Sequence, residues 1–191
     1  MLPDLPPEPP MIVDLLPYEQ RLEARPRTQI DLVVIHCTEL PDLPAARVAG
    51  ERVLYGSGTG NSGHYYIDRD GSIHVYVRPE RVAHPVRGYN ARAVGIELVN
   101  TGRYPDWLHS ARQRMDEPYT DAQIAALIAL LAVLQREIPT LRHIAGHEDL
   151  DTAREPASDN PAVRVPRKLD PGPRFPWEQV MRATALQRLK P

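Results

Sequence analysis

The chain has 191 residues, which is enough for one domain with a buried core. Its 25 acidic and 23 basic side chains give a formal net charge of -2, so the charge predicts neither a nucleic-acid-binding surface nor an anionic-membrane surface. The single cysteine, Cys37, excludes an intramolecular disulfide. It adjoins a strand-like run, which favours a buried, inert thiol over a catalytic one.

The first 28 residues are rich in proline, which excludes long helices and predicts an irregular lead-in to a domain over residues 29–191. A short apolar piece over residues 11–16 could pack on that domain as a cover. Residues 1–10 have neither the basic nor the apolar region of a secretory signal. No run approaches the roughly 18 apolar residues of a membrane helix, so a cytoplasmic location is expected.

A buried strand is the first regular element that the sequence predicts. Residues 31–36 form a β-branched apolar run, and His36 stands at its end, where the central strands of α/β sheets present ligands. A helix is expected over residues 44–54, with Pro44 in its first turn. The glycine-rich loop over residues 56–63 lacks the Lys-Ser/Thr of a phosphate-binding loop.

Two short strands follow, over residues 64–68 and 73–77. The Asp-Gly in their connection indicates a β-hairpin. A loop over residues 83–90 leads to another strand over residues 94–99, in which Glu97 interrupts an otherwise apolar run. A buried carboxylate is costly unless it is paired, so Glu97 is either a functional group or a structural carboxylate bonded to backbone amides.

The second half of the chain contains the clearest helix signal. The stretch Thr-Asp-Ala-Gln at residues 120–123 has the form of a capping box and opens a long apolar run that ends at residue 138. Partial alternation of strands and helices, with one hairpin, predicts a single α/β domain with a central mixed sheet flanked by helices. The other expected segments are a polar surface excursion over residues 102–119, a strand over 141–145, a turn over 146–149, an irregular excursion over 151–166 and a helix over 176–189.

Three residues far apart in the sequence could form a metal site. His36 and His147 each stand where an apolar strand ends, and Asp170 lies in the proline-rich stretch 167–173. The prolines favour an extended backbone there, which puts Lys168 and Asp170 on one face, either as a surface ion pair or as part of a site. Two imidazoles and one carboxylate suit zinc and leave a fourth position for water, although manganese or cobalt could occupy such a site.

Six motifs along the chain are similar in type and order to those of a known enzyme family. They lie at residues 33–38, 62–65, 94–98, 120–123, 146–149 and 167–173. In this order they resemble the type 2 N-acetylmuramoyl-L-alanine amidases, a zinc amidase family that also includes peptidoglycan recognition proteins and some phage endolysins. The resemblance spans about residues 30–180. Its ending, Lys-Leu-Asp-Pro-Gly-Pro, looks most like the bacterial branch that cleaves anhydro-muropeptides during cell-wall recycling.

The resemblance implies a role for each residue that matches a family motif. His36, His147 and Asp170 would hold one Zn²⁺ per chain. Glu97 would handle the attacking water, and Lys168 would be the cation beside the scissile carbonyl. The expected fold is that of the amidases and peptidoglycan recognition proteins.

The resemblance also implies a substrate and leaves two alternatives. His84 and Asn90 are expected in the substrate cleft, and the partner is a peptidoglycan fragment or muropeptide. The enzyme would hydrolyse the amide between N-acetylmuramic acid, or its anhydro form, and L-alanine. The alternatives are a non-catalytic peptidoglycan-binding module of the same fold and an exported lytic enzyme with the same chemistry. Ordinary polar, packing, cap or surface roles are expected for His64, His74, His109, His143, Glu148 and Asp149.

Overall fold

A seven-stranded sheet forms the centre of the computed structural model, which describes residues 9–190. The strand order is β1-β4-β3-β5-β2-β6-β9, and every neighbouring pair is parallel except the antiparallel β3–β4 hairpin. This arrangement confirms the predicted mixed sheet. The strands are β1 (Met11–Val13), β2 (Leu32–Cys37), β3 (Tyr65–Ile67), β4 (Ile73–Val75), β5 (Ala93–Leu98), β6 (His143–Gly146) and β9 (Gln187–Arg188), and a separate two-stranded sheet contains β7 (Arg154–Pro156) and β8 (Arg164–Pro166).

The helices begin at polar caps that the sequence provides. The Asp42 carboxylate accepts a hydrogen bond from the third residue of α1 (Leu43–Glu51) at 2.8 Å. Thr120 and Gln123 form the predicted capping box at the start of α2 (Asp121–Glu137). Two shorter helices follow, α3 (His147–Leu150) and α4 (Trp177–Arg182). Within residues 9–190, no helix combines the length and apolar character needed to cross a bilayer.

Successive side chains of the central strand β2 lie on opposite faces of the sheet. Val33 and Ile35 belong to the large core cluster, which α2 and α4 complete. Leu32 and Val34 belong to a smaller cluster on the opposite face. By the same alternation His36 lies on the face of Leu32 and Val34. The imidazole near the end of β2 is therefore on the face that α2 does not cover.

The proline-rich lead-in adds a strand that the sequence did not predict. β1 pairs in parallel with β4, while Leu16, Tyr18 and Leu22 are buried in a second cluster that includes residues of α1, β3 and the segment after β4. The prolines exclude a long helix but permit an extended edge strand. The division between residues 1–28 and 29–191 stays a prediction, and residues 1–8, including most of the segment in which a secretory signal was sought, lie outside the described residues.

Two predictions near the C-terminus were wrong because tertiary pairing determines the structure there. The helix expected over residues 176–189 ends at Arg182, and the chain then places β9 along the edge of β6. The excursion over residues 151–166 is not irregular, since it contains the β7–β8 hairpin. The strands β7, β8 and β9 are each too short to show an alternating pattern in the sequence. The expected turn after β6 is instead the single-turn helix α3.

His64 is a fully buried histidine that ties two loops to β5. Its Nδ1 accepts a hydrogen bond from the Gly95 N–H, and its Nε2 lies 3.0 Å from the Arg81 carbonyl oxygen. Burial, together with the charge of Arg25, lowers the pKa of His64 to about 3, although the hydrogen bond to the Arg81 carbonyl opposes the shift. The packing role expected for His64 is therefore confirmed.

This burial predicts a specific loss of stability in acid. The unfolded state binds a proton at His64 below about pH 6.5, whereas the folded state excludes that proton until the pH approaches 3. The free energy of unfolding should therefore fall by about 3 kcal/mol between pH 7 and pH 4 through this residue alone. Urea unfolding of the wild type and of His64→Asn at both pH values checks this. The stability advantage of the wild type should shrink in acid, and parallel pH profiles would contradict the assignment.

Candidate functional site

The candidate site lies at the carboxyl ends of three adjacent parallel strands. In the pairing of β2 with β5, His36 stands opposite Glu97. β2 also pairs with β6, and His147 follows the last residue of β6 directly. The sheet therefore brings residues that are far apart in sequence to one edge, where open α/β sheets bind ligands. The fourth component, Asp170, arrives on the loop after β8.

Three buried side chains converge at this edge. His36 Nδ1 lies 3.0 Å from His147 Nδ1 and 3.0 Å from Asp170 Oδ2. His147 Nδ1 lies 3.1 Å from the same carboxylate oxygen. A ring nitrogen carries at most one proton, so hydrogen bonds cannot satisfy all three contacts at once. The described residues contain one such cluster that could hold a metal ion, and it consists of these three side chains.

Unpartnered atoms around the cluster also fit a metal site. Asp170 Oδ1 is buried and has no hydrogen-bond partner. Burial alone would raise the pKa of Asp170, but His147, His36 and Lys168 together hold it well below its usual value. The carboxylate is therefore ionised beside two imidazoles, and two nitrogens and one oxygen are typical ligands of a divalent transition metal.

Each ligand is held by contacts from a different segment. The Asp170 carbonyl accepts a hydrogen bond from the Glu148 N–H at 2.9 Å, and the next carbonyl, that of Pro171, accepts one from the Tyr119 hydroxyl at 2.7 Å. His147 Nε2 lies 4.0 Å from the carboxylate of Asp151. This distance is too long for a hydrogen bond, and the Asp151 carboxylate is paired with Arg167. The sequence offered no way to identify Asp151 in this position.

Glu97 stands beside the cluster, with Oε1 4.0 Å from His36 Nδ1. Burial, opposed by His36 and reinforced by the charge of Asp170, raises the pKa of Glu97 to about 7. The carboxyl group can therefore exchange a proton near neutral pH. Gly63 gives it room, because a Cβ at that position would lie 2.8 Å from Glu97 Cγ and 3.3 Å from the Gly95 carbonyl oxygen.

A cleft of about 750 Å³ opens over the cluster and contains every site residue that the sequence predicted. Lys168 lies on its wall. His84 makes a T-shaped contact with Tyr55, with ring centroids 5.1 Å apart. Asn90 uses its side-chain oxygen to accept a hydrogen bond from the Val86 N–H, so that oxygen stabilises a loop. The roles of these residues stay predictions, although the structure places them together: His36, His84, Asn90, Glu97, His147, Lys168 and Asp170.

Sequence reasoning missed several residues of the cleft wall. Arg87 and Arg167 line the cleft, as does Trp107 from the polar excursion. Glu39 and Arg103 form a buried ion pair beside it, with an Nε–Oε1 distance of 2.6 Å. All five lie in loops or excursions. Arg167 opens the motif over residues 167–173 but was given no role of its own, and no periodicity or motif marks the other four.

Two residues that could be mistaken for catalytic groups have structural roles. Cys37 is buried, and burial followed by the charge of Asp170 raises the pKa of its thiol well above its usual value. It is therefore the inert thiol that the sequence favoured. Asp149 accepts a hydrogen bond from the Gly146 N–H at the start of α3 and pairs with Arg188, which confirms its expected cap role.

Comparison with known proteins gives the family of this chain. The model of the N-acetylmuramoyl-L-alanine amidase family matches residues 26–173, well over half of the chain. The N-acetylmuramoyl-L-alanine amidase AmiD of Escherichia coli (strain K12) is 34% identical over 92 residues, which are 48% of this chain and 27% of AmiD. The 1,6-anhydro-N-acetylmuramyl-L-alanine amidase AmpD of Haemophilus influenzae is 30% identical over 130 residues, 63% of this chain and 56% of AmpD. The chain thus spans 27% to 56% of the length of these curated relatives.

Solved structures share the fold. The N-acetylmuramoyl-L-alanine amidase LysC from Clostridium intestinale URNW matches with a TM-score of 0.67 at 20% identity, over 94% of this chain and 99% of LysC. E. coli AmiD, in complex with the substrate anhydro-N-acetylmuramic acid-L-Ala-D-γ-Glu-L-Lys, has a TM-score of 0.61 at 25% identity, over 84% of this chain and 58% of AmiD. With three candidate metal-binding side chains at the carboxyl edge of a mixed sheet, the chain belongs to the N-acetylmuramoyl-L-alanine amidase family.

Proposed function

We propose that the protein is a zinc-dependent amidase. It hydrolyses the bond between the lactyl group of N-acetylmuramic acid, or of its anhydro form, and L-alanine. The observation that carries this proposal is the convergence of His36, His147 and Asp170 at the base of a cleft that also contains Glu97. Family membership, the name of AmpD and the substrate in the AmiD complex support the same bond and substrate class.

The three ligands fit a zinc ion. A tetrahedral Zn²⁺ with ligand distances of about 2.0–2.1 Å holds its ligands about 3.3 Å apart. The three ligand atoms of this site are 3.0–3.1 Å apart, so small shifts would accommodate the ion. Three protein ligands leave one position open, as in catalytic zinc sites. When bound, zinc supplies an activated water and polarises the scissile carbonyl.

Glu97 and Lys168 supply the remaining chemistry. Glu97 takes a proton from the attacking water and passes it to the leaving amine of L-alanine, which its position beside His36 allows. Lys168 donates a hydrogen bond to the carbonyl oxygen as negative charge develops on it. The ammonium group of Lys168 is held near the site because it lies two residues before the anchored Asp170.

The cleft suits a muropeptide in size and charge. Its volume of about 750 Å³ lies in the range of small-ligand sites, roughly 300–1,000 Å³. Arg87 lines the wall and can pair with a carboxylate of a stem peptide, while His84 and Asn90 lie on the loop that precedes β5. A cytoplasmic location remains a prediction.

The first prediction from this proposal concerns the reaction itself. Zinc-loaded protein should release the peptide, with a free L-alanine amine, from anhydro-N-acetylmuramyl peptide, because the cut falls on the lactyl amide. Mass spectrometry of the products measures this, with intact sacculi as the second substrate. A chelator should stop the release and added zinc should restore it. Tight binding without turnover in zinc-replete buffer would favour the non-catalytic peptidoglycan-binding module.

The second prediction separates metal binding from proton transfer. His36→Ala should abolish turnover and lower zinc affinity, measured by competition with a fluorescent chelator, because one of three ligands is lost. Glu97→Gln should keep zinc affinity and lower kcat by about 10²–10⁴-fold, because it keeps the shape of the side chain and loses its base. Unchanged turnover in either variant would remove that residue from the mechanism.

The third prediction concerns the space around Glu97. Gly63→Ala should lower kcat by roughly tenfold or more, because the new methyl group would contact Glu97 Cγ at 2.8 Å and displace its carboxylate. Gly56→Ala is the matched control, since a Cβ there meets nothing within 4 Å. Steady-state kinetics and thermal unfolding of both variants check this, and equal kcat values would contradict the claim that Gly63 positions Glu97.

A further inference from the structure

We infer that Arg103 is a positioning residue that holds the backbone before Lys168 and so aims the Lys168 ammonium at the reacting carbonyl. The inference rests on the proposed function and adds a residue from the polar excursion over residues 102–119. The excursion was expected to be a surface segment, yet Arg103 is only 3% exposed. It stands beside the cleft wall without being free to bind a ligand.

Every N–H of the Arg103 guanidinium has a partner within the protein. Its Nε and one terminal nitrogen donate to the two carboxylate oxygens of Glu39, at 2.6 and 2.9 Å. The other terminal nitrogen donates to the Gln113 side chain at 3.2 Å and to the Pro166 carbonyl at 3.0 Å. The last N–H donates to the Arg167 carbonyl at 3.2 Å. Because a guanidinium has five such donors, Arg103 has none left for substrate.

The two carbonyls that Arg103 binds belong to Pro166 and Arg167, the residues immediately before Lys168. Arg103 therefore joins the backbone leading into Lys168 to Glu39, which lies two residues after the end of β2. β2 is the central, fully buried strand of the site. The position of Lys168 is thereby fixed relative to His36 by a chain of charge-assisted hydrogen bonds.

The local backbone is built around this ion pair. Glu39 has a φ of +49°, which is uncommon for a residue other than glycine and is sustained where the surroundings determine the conformation. Gly102, next to Arg103, has a φ of +52°, and a Cβ there would lie 2.7 Å from Glu39 Cγ. Trp107 adds a hydrogen bond from its indole N–H to the Glu39 carbonyl at 3.1 Å. The close approach of the two segments is therefore specific.

The metal ligand Asp170 is held by other contacts. Its own carbonyl accepts a hydrogen bond from the Glu148 N–H, and the Pro171 carbonyl accepts one from Tyr119. None of these partners is shared with Arg103. Weakening the hydrogen bonds of Arg103 should therefore displace Lys168 while Asp170 keeps its place. Such a change should lower kcat and leave zinc affinity intact.

A double-mutant cycle on the zinc-loaded full chain tests the inference. Arg103→Lys keeps the charge but loses the fork that reaches two carbonyls and a carboxylate, so kcat should fall about 10–100-fold with KM within about threefold. In a Lys168→Met background the same change should alter kcat by less than about twofold, because the group that it positions is already gone. Zinc affinity, read by chelator competition, should stay within about threefold of that of the wild type.

Two further variants keep the test decisive. Glu39→Asp shortens the carboxylate, preserves the charge balance and should reproduce the coupling with Lys168 if Arg103→Lys does not fold. Arg92→Lys is the matched control. Arg92 forms a bidentate ion pair with Asp31 at the amino ends of β5 and β2, away from the site, so this variant should keep the wild-type kcat.

The possible results distinguish the positioning role of Arg103 from the proposed amidase activity. If Arg103→Lys lowers kcat by the same factor with and without Lys168→Met, the two residues are not coupled and the inference is wrong. A large loss of zinc affinity in Arg103→Lys would also overturn it. The amidase assignment would stand in both cases. A wild-type protein that binds zinc but never cleaves muropeptide would overturn both. Coupled losses with intact zinc affinity would establish Arg103 as the residue that positions Lys168.

Discussion

The parallel pairing of β2 with both β5 and β6 is the constraint on which the site depends. This register places His36 opposite Glu97 and brings the end of β6, with His147, to the same edge of the sheet. Alternation along β2 puts its core residues against α2 and leaves His36 on the other face. A one-residue slip of register would send the imidazole into the core, so the packing of the core and the geometry of the site are specified together.

Burial of charge explains why this edge is suited to a cation. Asp170 and Glu97 are two carboxylates close together in a low-dielectric region, and their proximity contributes to the raised pKa of Glu97. Nearby imidazoles and Lys168 lower the cost of ionising Asp170. A divalent ion would complete this compensation and would also satisfy the unpartnered oxygen of Asp170. The electrostatics and the ligand geometry therefore favour the same occupant.

The sequence predicted the parts of the fold that have local signals. Apolar runs predicted the central strands, the capping box predicted the start of α2, and the family motifs identified residues such as His36 and Asp170. Local signals were absent where long-range pairing determines the structure, as in β1, β9 and the β7–β8 hairpin. The same limit hid Arg103 and Glu39, because a buried ion pair 64 residues apart leaves no pattern in a single sequence.

The two excursions contact each other, and the first forms part of the cleft wall through Arg103, Trp107 and Leu108. The Ser158 N–H donates to the Leu108 carbonyl at 2.9 Å, and Ser110 binds the carboxylate of Asp159 through both its N–H and its hydroxyl. Arg103 joins this wall to the segment that leads into Lys168. Polar composition made residues 102–119 look like a surface segment, yet Arg103 is buried and its guanidinium is bonded within the protein. The burial of Arg103 and the uncommon backbone conformation of its partner Glu39 favour a role for this ion pair in positioning the segment before Lys168.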